Sequence, residues 1–446
     1  MLADVIFKAN DIRGIVVGDA PEWDLDGARR LGAAFVELTG ADEFVLGRDM
    51  RVMGAEIVDA FADGARRAGA DVVRLGLTST DQLWYASGVT HLPGVQITAS
   101  HNPAEYNGIK FCLADARPVP AEFMARLREL APTVDLSRPV EGSLRDLDTL
   151  PGYAQRLTSL VPMRGDRRLT VVVDAGNGMA GHTAEAVLGR RNVDLVGLYL
   201  ELDGSFPNHP ANPLVPENLR DAQRAVVEQG ADLGLVFDGD ADRCFIIDER
   251  GEVVDPSVVT AMIAQAELAR EPGGVVVINT ITSQCVAEAI GESGRLVRSR
   301  VGHTYVKALM AEHDGIFGGE HSAHYYFRDF WGADTGMLAA LHVLERVREG
   351  GPLSALTRVH DGYFRSGEIN STVADADAEQ AKVAAAFAGR GEIESGDGTT
   401  IRDDAAGWWV NLRPSNTEPL LRLNVEARDP ATMEALRDEV LALVRG

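Results

Sequence analysis

Short apolar runs alternate with stretches of helical period from residue 27 onward, and this alternation leaves the chain few architectures to adopt. Glu43 to Gly47 and Asp71 to Gly76 read as strands. Gly27 to Leu38 and Glu56 to Gly69 repeat apolar residues at the spacing of one helix face. Strand–helix–strand order of this kind builds a sheet covered by helices, an α/β domain. A further apolar run, Gly94-Val-Gln-Ile97, leads into Thr98-Ala-Ser-His-Asn-Pro103. Pro103 offers no amide donor and biases Asn102 away from helical angles, so this loop has a defined shape. That shape would hold the Ser100 hydroxyl at a strand end beside an imidazole and an amide, where it could attack phosphorus or carry a phosphoryl group. Taken alone, a serine in a turn is only a turn residue. Around it, Arg13-Gly14 reads as a turn before the run Ile15-Val-Val17, and Tyr106 to Lys110 reads as a turn presenting Lys110 as a solvated charge.

At 446 residues the chain is too long for one ordinary core, and two to four domains are expected. The formal net charge of −24 argues against a nucleic acid or an anionic membrane as partner, and no obligate protein partner is evident. A phosphate ligand would need local Arg, Lys or metal to overcome that field. Cys112, Cys244 and Cys285 are widely separated and fit no disulfide or metal-ligand spacing, so they read as buried apolar residues in a reducing compartment. The first residues lack the cations and apolar core of a signal peptide, and no run approaches a bilayer span. The expected location is cytoplasmic.

Pro132, Pro139 and Pro151 mark a linker near residues 132–150. Leu169 to Asp174 is the next strand, followed by Gly176-Asn-Gly-Met-Ala-Gly181 and a helix. This matches the glycine pattern of a dinucleotide site, but the same glycines serve any tight strand-to-helix turn, which is the reading preferred here. Leu233 to Phe237 then runs into Asp238-Gly-Asp-Ala-Asp-Arg243. Three carboxylates at alternate positions would repel one another unless something positive sat among them. A helix–loop–helix calcium site is rejected, because Arg243 stands where the turn glycine belongs and Cys244 to Ile247 reads as a strand. Mg²⁺ with open positions for a phosphoryl oxygen fits better. After Ile316-Phe317 comes a glycine-led loop, Gly318-Gly-Glu-His-Ser-Ala-His324, whose Glu320 and Ser322 could accept from and donate to vicinal sugar hydroxyls. Gly302-His303 opens a helix, and Asp334 to Arg348 is strongly helical. Near the end, Arg413-Pro-Ser-Asn-Thr-Glu-Pro419 links two strands; Arg413 offers a guanidinium fork to phosphate, and Ser415, Asn416 and Thr417 offer donors.

The motifs TASHNP, DGDADR, GGEHSAH and RPSNTEP, in this order and at these separations, resemble those of the α-D-phosphohexomutases over essentially the whole chain. The resemblance implies three related α/β domains and a smaller α+β domain around a central cleft, here divided as 1–148, 149–252, 253–366 and 367–446. It implies Ser100 as a phosphoserine, with Asp238, Asp240 and Asp242 holding Mg²⁺ against its phosphate. The phosphoryl group would pass to a hexose 1- or 6-phosphate, mannose and/or glucose, giving a 1,6-bisphosphate that is both intermediate and activator (glucose or mannose 1,6-bisphosphate). By the same resemblance Lys110 is a general base, His101, Arg13 and Arg243 line the phosphoserine, and His324 is a candidate acid. His303 lies near the sugar, Glu320 and Ser322 read its hydroxyls, and Arg413, Ser415, Asn416 and Thr417 hold the non-reacting phosphate. The sugar loop of the family commonly reads GGEMSGH, so His321 and Ala323 depart from it. His321 and Asn416 argue against the glucosamine-specific branch. Asn279-Thr-Ile-Thr-Ser283 lacks a lysine found in some relatives, and Asn10 replaces an aromatic residue seen in others. Alternatives are a phosphoglucosamine mutase, a phosphohydrolase, and a non-catalytic sugar-phosphate binder.

Overall fold

The computed structural model describes residues 1–189, 191–414 and 420–446. The chain forms two compact units, Met1–Val254 with Ser322–Leu356, and Asp255–His321 with Thr357–Gly446.

In the first unit, one six-stranded sheet runs in the order Ile12–Ile15, Tyr106–Cys112, Gly94–Ile97, Glu43–Arg48, Asp71–Leu77, Leu144–Asp146. Its centre is parallel, while Tyr106–Cys112 lies antiparallel between Gly94–Ile97 and Ile12–Ile15. Helices Leu25–Thr39 and Gly54–Arg67 cover one face. Their apolar stripes meet the sheet in an aromatic knot of Phe35, Phe44, Phe61 and Phe111. Each such side chain contributes roughly 1.5–3 kcal/mol on burial. A second sheet orders Val253–Val254, Cys244–Asp248, Leu233–Phe237, Leu169–Asp174 and Val193–Leu198. Leu169–Asp174 is parallel to both neighbours, whereas Leu233–Phe237 and Cys244–Asp248 form an antiparallel hairpin. The hairpin Tyr325–Phe327 with Ala333–Asp334 and the helix Gly336–Gly350 complete this unit.

In the second unit, Val275–Asn279 lies between the parallel strands Arg295–Ser299 and Phe317–Gly319. The C-terminal part is an antiparallel sheet in which Leu420–Ala427 pairs with Trp408–Pro414, and that strand with Gly398–Asp403. Ala376–Ala386 and Pro430–Arg445 pack on it over Phe387, Val410, Leu423 and Val440. Among the described residues, no helix is long and apolar enough to cross a membrane.

Five expectations need correction. Arg13 and Gly14 do not form a turn but lie within the strand Ile12–Ile15. Lys110 does not sit in a turn but within the strand Tyr106–Cys112, only 8% exposed. The expected linker 132–150 contains the strand Leu144–Asp146, which extends the first sheet beside Asp71–Leu77. Gly318 and Gly319 belong to a buried strand rather than a loop. Asp334 ends a short strand, and its helix begins at Gly336 behind a Thr335 cap.

Candidate active site

Residues 98–105 connect two antiparallel strands in which Gln96 faces Lys110 and Ile97 faces Ile109. Ile109 and Phe111 enter the aromatic core. Because successive side chains of a strand point to opposite faces, Lys110 emerges on the other side. There its Nζ donates to Asp240 Oδ2 at 2.6 Å and to Asp242 Oδ2 at 2.5 Å.

The serine loop is held from below. The Ser100 amide donates to Thr98 Oγ1 at 3.0 Å, and Thr98 Oγ1 donates to Asp49 Oδ2 at 2.6 Å. Ser100 has φ +50°, a conformation sparsely used by residues with a side chain and one that surrounding contacts must impose. Arg51 imposes it. Its guanidinium donates to the carbonyl oxygens of Ser100, Asn102, Pro103 and Tyr106, and lies over the Phe206 ring at 5.0 Å. Asp49 sits beside it at 3.4 Å, and both side chains are fully buried.

The acidic loop closes the hairpin whose last pair is Phe237 and Cys244. Ser100 Oγ donates to Asp238 Oδ2 at 2.8 Å, and Arg243 grips the same oxygen through Nε at 3.0 Å and Nη2 at 2.8 Å. Thr80, opening the helix Thr80–Thr90, donates its hydroxyl to Asp240 Oδ2 at 2.6 Å. His101 Nδ1 accepts from Arg243 Nη2 at 2.6 Å and lies 3.3 Å from Ser100 Oγ. Arg13 joins Asp11 and Asn102. His324 pairs with Arg243 in an isolated bridge, its Nδ1 lies 3.0 Å from Ser322 Oγ, and its Nε2 lies 3.8 Å from Asp242.

Burial, with Asp242 and Asp240 beside it, pushes the Asp238 carboxyl up to about 7, although Arg243 opposes the shift. Burial works the same way on Asp240, but Lys110 outweighs it and holds that carboxyl well below the usual range. Burial would depress Lys110; the two carboxylates overcome it and hold the ammonium well above its ordinary value. Burial, Arg243 and Arg13 push His101 down to about 2, in keeping with an imidazole that accepts from a guanidinium.

Asp238, Asp240 and Asp242 each offer an oxygen within 4.8 Å of the others. Asp240 Oδ1 and Asp242 Oδ1 are buried and accept no hydrogen bond among the described residues. Buried carboxylate oxygens without a partner are costly, and hard oxygen donors of this kind suit Mg²⁺. The donor set therefore fits a divalent cation, placed against a serine hydroxyl with Lys110 and Arg243 close by.

The glycine motif at 176–181 has a structural use here. Met179 N donates to Gly239 O, and a Cβ on Gly178 would meet Gly239 O at 2.7 Å. A Cβ on Gly239 would in turn meet Ser100 O at 2.4 Å. The turn thus backs the acidic loop, which rests directly on the serine loop. Gly239→Ala is expected to destabilise the protein by about 1–3 kcal/mol through overpacking. An unchanged melting temperature would show that the two loops have slack.

In the second unit, Glu320 Oε2 accepts from Asn279 Nδ2 at 3.0 Å and from Gly302 N at 3.3 Å, next to His303 at the start of its helix. Arg413 donates to Glu368 at 2.6 Å, while its buried Nε has no hydrogen-bond partner among the described residues. Ser415, Asn416 and Thr417 lie outside the described residues. Sequence reasoning missed Arg51 and Thr80, and marked Asn279 only as the start of a segment without a lysine.

Comparison with known proteins agrees with this architecture. The chain matches the four family models described as Phosphoglucomutase/phosphomannomutase alpha/beta/alpha domains I, II and III and C-terminal domain, at residues 4–138, 151–251, 255–362 and 368–443. It is 38% identical to a phosphomannomutase of Salmonella montevideo over 457 residues, covering 98% of each chain. It is also 38% identical to a protein named phosphohexose mutases from Xanthomonas campestris pv. campestris, covering 99% of each. A crystal structure of a phosphoglucomutase/phosphomannomutase family protein from Burkholderia thailandensis superposes with a TM-score of 0.91 at 30% identity, covering 100% of this chain and 98% of that one. The chain belongs to the α-D-phosphohexomutase family. It is an isomerase, a hexose phosphate mutase that moves a phosphoryl group within its substrate.

Proposed function

We propose that the protein interconverts hexose 1-phosphate and hexose 6-phosphate, with mannose and/or glucose as the sugar, through a phosphoserine at Ser100 and a 1,6-bisphosphate intermediate. The observation that carries this reading is the Ser100 hydroxyl, 2.8 Å from Asp238 within a buried triad of carboxylates. Mg²⁺ held by Asp238, Asp240, Asp242 and the Ser100 oxygen would supply charge neutralisation for the phosphoryl group. The family names of its relatives support hexose phosphates as substrates.

In the forward step the bond from phosphorus to Ser100 Oγ breaks and a bond to the free sugar hydroxyl oxygen forms. That hydroxyl loses its proton to a base. The bisphosphate then turns over, and its other phosphate returns to Ser100. Transfer of this kind depends on positioning and cations more than on covalent chemistry. Arg13, Arg243 and His101 would orient the serine phosphate, and His324 would serve as the acid. Lys110 would act as base only where Asp240 and Asp242 no longer hold its proton; paired with them it is a cation. Glu320 and Ser322 would read the sugar with His303 near it. Arg413, together with Ser415, Asn416 and Thr417, would hold the non-reacting phosphate; the buried Nε of Arg413, without a hydrogen-bond partner among the described residues, supports an anion there. Domain boundaries proposed at 148/149, 252/253 and 366/367 each fall in a gap between the matched family segments.

A phosphorus NMR time course tests the proposal. Protein with Mg²⁺ and trace glucose 1,6-bisphosphate receives mannose, glucose or glucosamine 1-phosphate in parallel. Conversion of mannose or glucose 1-phosphate to the 6-phosphate is the expected result, and the two rates rank the sugars. Turnover of glucosamine 1-phosphate alone, release of inorganic phosphate alone, or binding without conversion would each overturn it.

A further inference from the structure

The three parallel strands of the second unit end side by side, with Asn279 opposite Ser299 and Ile278 opposite Gly319. In open parallel sheets, ligands bind beyond the carboxyl ends of the strands. The residues that follow these ends include Thr282, Gly302, Glu320 and His321. One amide orders them. Asn279 Oδ1 accepts from Thr282 Oγ1 at 2.8 Å, and Asn279 Nδ2 donates to Glu320 Oε2 and to His321 Nδ1, each at 3.0 Å. The reverse orientation of the amide would set its oxygen against the Glu320 carboxylate, which only accepts, so that orientation is excluded.

The state of His321 follows. Because Nδ1 accepts from Asn279, it carries no proton, and the proton of the neutral ring resides on Nε2. Burial, with Arg413 adding to it and Glu320 opposing, pushes the imidazole down to about 4, which keeps it neutral near pH 7. Nε2 makes no hydrogen bond among the described residues. The same Asn279 amide thus fixes a carboxylate acceptor and an imidazole donor on successive residues.

We propose that His321 is a specificity-determining residue of the hexose site. Its Nε2–H donates to one oxygen of a vicinal diol whose neighbouring hydroxyl donates to Glu320, and Asn279 positions both side chains. The inference rests on the reading of Glu320 as the residue that faces the sugar. Methionine, common at this position in the family, reaches as far but cannot donate.

The test compares wild type with His321→Met and His321→Gln, using glucose 1-phosphate and its 3-deoxy and 4-deoxy analogues. Wild type is expected to turn over the parent sugar and to discriminate against one deoxy analogue by about 3- to 10-fold in kcat/KM, the size of one neutral hydrogen bond. His321→Met is expected to raise KM for the parent sugar by a similar factor, with kcat little changed, and to lose that discrimination. His321→Gln, which keeps a donor, is expected to recover part of it. A Met variant with wild-type KM and discrimination would overturn the inference while leaving the mutase reading intact, and, should that variant not fold, so would a wild type that turns over both deoxy analogues as well as the parent sugar. A wild type that turns over no hexose phosphate would overturn that reading, and the inference with it.

Discussion

Ser100→Ala is expected to lower mutase turnover by ~10⁴-fold or more, as loss of a covalent nucleophile does elsewhere. The change removes one oxygen and little else. Ser100 is 3% exposed, and its Oγ donates only to Asp238, which keeps its two contacts from the Arg243 side chain. The amide bond to Thr98 and the four carbonyl contacts of Arg51 do not involve the side chain of Ser100. Alanine also carries a Cβ, so the cost of φ +50° is the same before and after. Stability should therefore change by about 1 kcal/mol, and Mg²⁺ binding to the three aspartates should persist. Labelled glucose 1,6-bisphosphate should transfer phosphate to wild type and not to the variant. Turnover within tenfold of wild type would sink the phosphoserine, though not the family membership.

The sequence reveals the parts of this protein that obey a period. Helices such as Leu25–Thr39 and Gly54–Arg67 show one apolar face, and strands such as Leu233–Phe237 are continuous apolar runs. Thr80–Thr90 was invisible for a physical reason. Its buried residues include Thr80, Asp81, Gln82 and Ser87, so the helix has no polar face to set the period. Several of those polar groups bond to distant partners: Asp81 accepts from Tyr153 and Thr335, and Thr80 bonds Asp240. Lys110 is misplaced for a related reason, since a lysine two residues past the Asn107-Gly108 pair looks solvated until the carboxylates 130 and 132 residues away are brought to it. The candidate site was legible as motifs, because TASHNP and DGDADR each concentrate their chemistry in six residues. What braces them is not, because Arg51 and Thr80 act on residues remote in the chain, the carbonyls of residues 100 to 106 and the Asp240 carboxylate.

Arg51→Ala is expected to cost about 3–5 kcal/mol of stability, the range for removing one partner of a buried ion pair. Asp49 would lose the guanidinium that faces it, and burial already pushes that carboxyl up to about 6 with Arg51 opposing the shift. Four carbonyl oxygens of the serine loop would lose their donor at once. A loss this large can unfold the protein, so Arg51→Lys is the informative variant. Lysine keeps the charge near Asp49 but offers three donors from one nitrogen, and cannot span carbonyls of residues 100, 102, 103 and 106 as a planar fork does. The lysine variant should fold, with the serine loop relaxing from the left-handed angle that Arg51 holds at Ser100. Displacement of the hydroxyl by about 1 Å is enough to lower kcat on the order of 10²-fold. KM for hexose 1-phosphate should move little, because Arg51 bonds the backbone and Asp49 rather than any residue assigned to the sugar. Equal falls in kcat and kcat/KM, with a melting curve close to wild type, would identify Arg51 as the residue that aims Ser100. A lysine variant with kcat within threefold of wild type would mean that the loop keeps its shape by itself.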